Sequence, residues 1–210
     1  MRYLYLILTV LIFNACSKED GYGPFDIKEG QEVELLISDR LGAIGDVPLL
    51  LPQNENPGLP VSGFDDREAG YIYKVKAKMQ AYHGPIMMDG GSGHSLVYLK
   101  TLSKEKQSGD QPFEISLIQS IVPGPDIIWL QREEDQYQYR LSSGETIQLT
   151  YHDPKVGEQL AEIWEYIQQL STDDYPSTLK WKAIRLTVTH DPENFGIAYL
   201  VSHIALTEAQ

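Results

Sequence analysis

The chain predicts an α+β fold that is predominantly β: an antiparallel sheet or open barrel with one long amphipathic helix packed on it. Three observations carry this. Tyr71 to Tyr82 alternates strictly, with Tyr71, Tyr73, Val75, Ala77, Met79 and Ala81 on one face and Lys74, Lys76, Lys78 and Gln80 on the other. Val156, Leu160, Ile163, Trp164, Ile167 and Leu170 recur at helical spacing. Turn-forming Gly, Pro, Asn and Asp clusters separate many short apolar runs.

The elements follow in order. Gln31 to Ser38 alternates, with Val33, Leu35 and Ile37 on one side, and reads as a first strand. Val47 to Leu51 is a short apolar run before a loop marked by Pro52, Asn54, Asn56, Pro57, Gly58 and Pro60. The Tyr71–Tyr82 strand carries three ammonium groups on one face, so that face must be solvated. Further strands are expected at His94–Leu102, Pro112–Ile121, Asp126–Arg132, Gln136–Leu141 and Glu145–Tyr151. The last two flank Ser142-Ser143-Gly144 as a hairpin, because glycine takes the positive φ such a turn requires. Asp153 caps the helix, Pro154 suits its first turn, and Trp164 is read as a packing residue. Two long strands, Thr178–Thr189 and Phe195–Thr207, close the chain around the turn Asp191-Pro192-Glu193-Asn194.

The N-terminus predicts an address. Arg2 precedes an apolar run, Tyr3 to Phe13, which suits a secretory leader and is shorter than the roughly 20 residues of a membrane span. Asn14, Ala15 and Cys16, the only cysteine, follow. Ile12-Phe13-Asn14-Ala15-Cys16 resembles a bacterial lipobox. The resemblance implies diacylglycerol on the Cys16 thiol, cleavage before it, and a mature protein anchored without a spanning helix. An ordinary leader with an incidental cysteine is the plainer alternative, but it leaves an unprotected thiol in an exported chain. Ser17-Lys18-Glu19-Asp20 resembles a surface-export tag and equally suits a solvated tether. The expected organisation is therefore a signal peptide at 1–15, a flexible tether at 16–25 and one globular domain at 26–210. Two smaller β units meeting near 104–112 are the alternative, because Ser103 to Asp110 is strongly polar.

Composition narrows the partners. The formal charge is −13, and loss of Arg2 with the leader makes it −14. Such a surface repels phosphate backbones, which excludes nucleic acid as the expected partner and leaves the membrane, through the lipid on Cys16, as the main one. A glycan, a peptide or an envelope protein remains an open partner class, and no cofactor is implied.

Val61-Ser62-Gly63-Phe64, Glu68, Gly70-Tyr71-Ile72-Tyr73-Lys74-Val75, Asp89-Gly90-Gly91-Ser92, Val97, Leu99 and Ser103-Lys104 together resemble a family of bacterial envelope-lipoprotein domains of unknown function. Its members often accompany the META type of heat-shock lipoprotein domain. The likeness covers roughly Pro60 to Gln107. It implies a compartment, the outer membrane or cell surface, and a β-rich fold, but no catalytic residues. The cysteine-bearing segment of some members has no counterpart here.

Three constellations invite chemistry. Gly90-Gly91-Ser92-Gly93-His94 lacks the final glycine and following helix of a nucleophile elbow and the lysine of a phosphate cradle, so it reads as a hairpin connection. His152-Asp153-Pro154 and His190-Asp191-Pro192 each end a strand and could converge on a metal if their strand ends were neighbours. The simpler reading makes both Asp-Pro pairs turn formers, with the histidines at the surface. Trp129, Tyr137, Tyr139, Tyr151 and Trp181 could form an aromatic platform for a sugar or peptide, or pack the core. The resulting expectation is a lipid-anchored, non-catalytic binding or structural module. A glycan- or peptide-binding surface protein comes next, and a metal-dependent hydrolase last.

Overall fold

A computed structural model describes residues 21–82, 93–107, 111–120, 124–141, 144–170 and 178–209. Residues 1–20, which hold the expected leader and Cys16, together with His83, residues 89–92 and Ser142-Ser143, lie outside the described residues.

The architecture is α+β and predominantly β, with a sheet curled into an open half-barrel and one long helix among the described residues. The first sheet has the order β2-β1-β4-β5-β3, built from β1 (Glu32–Ile37), β2 (Leu49–Leu50), β3 (Val61–Ser62), β4 (Tyr71–Gln80) and β5 (Ser95–Lys106). Alternation does what the sequence predicts: Val33, Leu35 and Ile37 of β1 join Tyr73, Val75, Ala77 and Met79 of β4 in one apolar cluster. Glu32, Glu34 and Leu36 pair in register with Lys78, Lys76 and Lys74 on the opposite, wet face. The polar stretch after Ser103 continues β5 as far as Lys106, which lies opposite Tyr71.

The second sheet runs β6-β12-β13-β11-β10-β9. Its strands are β6 (Phe113–Ser116), β9 (Leu130–Glu133), β10 (Gln136–Arg140), β11 (Thr146–Tyr151), β12 (Trp181–His190) and β13 (Ala198–Glu208). A small hairpin of β7 (Ile118–Ser120) and β8 (Asp126–Ile128) joins one edge strand to the other, and the Trp129 N–H donates to Leu117 O at its base (2.7 Å). The expected strands 112–121 and 126–132 are thus each broken in two, at Leu117 and Trp129. Two pairings are parallel, β11 with β13 and β3 with β5. Each has intervening chain to make the crossover that a parallel pair requires; between β11 and β13 that chain holds the helix and β12.

Helix α1 (Pro154–Gln169) is capped by the Asp153 side chain, which accepts from Lys155 N. It buries Val156, Leu160 and Ile163 against the second sheet, while Trp164, Ile167 and Leu170 pack at the margin of the same core. Trp164 therefore packs, as read from the sequence.

Candidate functional site

The densest set of buried polar groups lies where the loop between β1 and β2 meets the second sheet. Asp46 organises this loop. Its carboxylate accepts from Ser38 Oγ (2.8 Å), Gly42 N (3.2 Å) and Arg67 Nη2 (2.7 Å). The Arg67–Asp46 pair is largely out of water, with side-chain exposures of 15% and 8%. Arg67 Nη2 also donates to Ser38 O (2.9 Å), whereas its Nε is buried without a partner. Between Arg67, Asp46, Gln119, Tyr139 and Glu145 lies a shallow recess of about 390 Å³, with Phe64 among its apolar walls.

The second sheet grips the backbone of the same loop. Tyr199 Oη donates to Leu41 O (2.8 Å) and Tyr139 Oη donates to Gly42 O (3.1 Å), while Gln119 Nε2 donates to the Tyr139 hydroxyl (2.9 Å). Ala43 bridges Ile115, and Ile44 N donates to Glu114 O, which covers the outer edge of β6. Burial raises the pKa of both phenols, so each stays a neutral donor. Gly42, at φ +75°, leaves no room for a side chain: a Cβ would come within 2.3 Å of Leu141 and 2.9 Å of the Tyr139 ring.

His190 and Asp39 complete the seam. His190 Nε2 lies 3.1 Å from Asp39 Oδ2, with the imidazole side chain only 1% exposed. Phe113, Phe195 and Tyr199 surround the ring at centroid distances of 5.4, 5.7 and 5.4 Å. Burial pushes the imidazole pKa down; the bond to Asp39 opposes this without cancelling it. The neutral ring then donates from Nε2 to the carboxylate, and Nδ1 is left buried without a partner. This dyad orients a loop. With so little exposure, the imidazole cannot reach a substrate.

The residues singled out in the sequence do not gather into one site. His152 and Asp153 are exposed, and Asp153 caps α1. His190 is buried rather than at the surface, because the first residues of β13 and the ring of Phe113 close over the end of β12. Burial raises the Asp191 carboxyl, but donors from Asn194, Thr150 and the Glu193 N–H outweigh it and hold the pKa below the usual carboxylate value. Among the described residues, no group of three or more His, Cys, Asp or Glu could hold a metal ion.

The aromatics likewise divide. Tyr137, Tyr139 and Trp181 are 5%, 1% and 2% exposed and pack the core, where Trp181 meets the edge of Tyr166. Trp129 is half-buried with an unpartnered Nε1, and Tyr151 is exposed beside Gly157. Tyr137, Tyr139 and Trp181 point inward because they take the core phase of their strands, so they offer no flat outer surface for stacking. Sequence reasoning passed over Asp39, Asp46, Arg67 and Tyr199. Only the inward phase of Tyr199 on β13 was visible, since Asp39 and His190 are 151 positions apart and no local motif links them.

The chain matches no protein-family model, no curated protein and no solved structure.

Proposed function

We propose that this chain is a lipid-anchored lipoprotein of the bacterial envelope or cell surface, acting as a non-catalytic binding or structural module. One observation carries the reading: the only cysteine, Cys16, follows an eleven-residue apolar run, Asn14 and the small Ala15, a setting that resembles the one in which a thiol is joined to diacylglycerol. The likeness of residues 60–107 to envelope-lipoprotein domains agrees with it. Among the described residues no helix is long and apolar enough to cross a membrane. On this reading attachment needs none, because two or three acyl chains at about 0.8 kcal/mol per buried CH₂ hold a protein stably.

The non-catalytic part is supported by the polar seam. Asp46, Asp153 and Asp191 each spend their carboxylates on internal donors, and His190 is enclosed. Three of the aromatics proposed for a glycan or peptide platform are in the core, so that second reading finds no support in their placement.

Intact-mass and N-terminal analysis of the protein extracted from bacterial membranes tests the anchor. A chain starting at an acylated Cys16, and a Cys16→Ser variant that leaves the membrane fraction, are the expected results. A bare thiol, or a leader still in place, refutes the proposal.

A further inference from the structure

Charge is unevenly shared along this acidic chain. Residues 108–210 carry 6 Lys+Arg against 16 Asp+Glu, whereas residues 21–107 carry 9 against 12. Four lysines of the second set share the outer face of the first sheet. Lys74, Lys76 and Lys78 are successive outward positions of β4, and Lys100 lies opposite Lys76 on β5. Like charges directly opposite repel, and the face relieves this only in part: Lys76 bonds Glu32 (2.6 Å) and Lys74 bonds Glu34 (2.6 Å). Lys78 and Lys100 are exposed and lie outside these pairs, close enough to Glu32 to lower its pKa together with Lys76. Apolar surface adjoins them. Leu99, in the bulge between Tyr98 and Lys100, is 44% exposed, and with Val97 it lines a shallow recess that Lys78 and Glu29 share.

The chain enters the fold beside this end of the sheet. The Tyr22 ring lies tilted against that of His94, with centroids 4.3 Å apart, and His94 precedes Ser95, which is the partner of Gln80 two positions beyond Lys78. Four residues lie between Cys16 and Gly21, five steps with a reach of at most about 18 Å at 3.3–3.6 Å per residue.

We propose that the outer face of the first sheet, through Lys76, Lys78 and Lys100 around Leu99, docks on the anionic phospholipid headgroups of the bilayer that holds the anchor. This rests on the lipid-anchored reading, which supplies the bilayer. The anchor offsets the long-range repulsion due to the acidic half, and the short tether presents this lysine-bearing face. Ammonium groups then meet phosphates within a Debye length of about 8 Å, and the acidic second sheet is turned away. An exposed leucine beside lysines suits the boundary between headgroups and acyl chains.

The test uses the full chain carrying Cys16→Ser, so that lipid is absent from every arm and the result does not depend on whether Cys16 is modified. The quantity read is the ratio of its partitioning onto phosphatidylcholine vesicles with and without phosphatidylglycerol. Any contribution from the apolar leader is common to both and divides out. Each lysine near an anionic surface contributes about fivefold in partitioning, so Lys78→Gln with Lys100→Gln lowers the ratio roughly 25-fold. Lys155→Gln with Lys182→Gln makes the same change in net charge on exposed positions of α1 and β12 and leaves the ratio near its starting value. Thermal unfolding of both variants verifies that they fold. A ratio near one for the parent chain, or equal losses in the two variants, overturns the proposal; lipidation of Cys16 is decided separately by mass.

Discussion

Acidification below pH 6.5 loosens the seam between the β1–β2 loop and the second sheet, because His190 resists protonation in its folded surroundings. Its pKa lies below the ordinary 6.5, first through burial, with the Arg40 charge adding to the effect and Asp39 opposing it. Arg40 sits over the Phe113 ring at 5.6 Å. The folded pKa is the depressed one, so this contribution to stability is fully present above pH 6.5 and is lost as the pH falls toward and through the folded value. Protonation also places a donor on Nδ1, which has no acceptor. Between the two pKa values the loss is at most about 1.4 kcal/mol per pH unit for one proton. With a urea m-value of roughly 1–3 kcal/mol/M, the unfolding midpoint falls by about 0.5–1.4 M per pH unit. The assay is urea unfolding at intervals from pH 8 to pH 5, followed by tryptophan fluorescence, for the parent and for His190→Gln. The glutamine amide keeps a donor directed at Asp39 and does not titrate. The parent is expected to lose stability below pH 6.5 and the variant to stay nearly level there. Asp191, whose folded pKa is below the ordinary 3.8, causes a separate loss only as the pH falls below about 4. Parallel profiles for the two proteins between pH 6.5 and 5 refute the argument.

Three further substitutions extend this, two of them in the same seam. Asp46→Ala leaves the Arg67 guanidinium buried without its counter-charge and removes the acceptor for Ser38 and Gly42, so it costs about 3–5 kcal/mol in chemical denaturation. Glu32→Ala, which breaks the exposed pair with Lys76, leaves the melting temperature nearly unchanged, because solvent and salt screen the pair. Gly42→Ala meets both a positive φ and the Tyr139 ring, so it lowers stability by more than about 1 kcal/mol; an unchanged melting temperature shows that the loop shifts freely.

Periodicity made much of this fold legible. The two-residue alternation of β1 and β4 separates Val75 from Lys76 whatever else is nearby, because successive side chains must point to opposite faces. The Val156–Leu170 stripe and the Asp153 cap are equally local, and α1 forms where they place it. Bulges were not legible. At Ser202 the register of β13 slips, so Tyr199 and Val201 face the core and the next inward residue is Ile204, with His203 turned outward. Ser202 Oγ bonds Thr187 O at this irregularity. Nothing in the local spelling marks such a slip, since it is set by the partner strand.

The sequence by itself determined the α+β composition, the amphipathic faces, the acidic surface and the apolar run Tyr3–Phe13 that precedes Cys16. These depend on residues within a few positions of one another. The tertiary structure alone decided that His190 answers to Asp39 rather than to His152, that Tyr139 and Tyr199 hold a loop instead of a ligand, and that β11 runs parallel to β13. These features join residues up to 158 positions apart. Burial strengthens such bonds and makes any unsatisfied member costly, so the packing of distant elements rather than local sequence selects the partners.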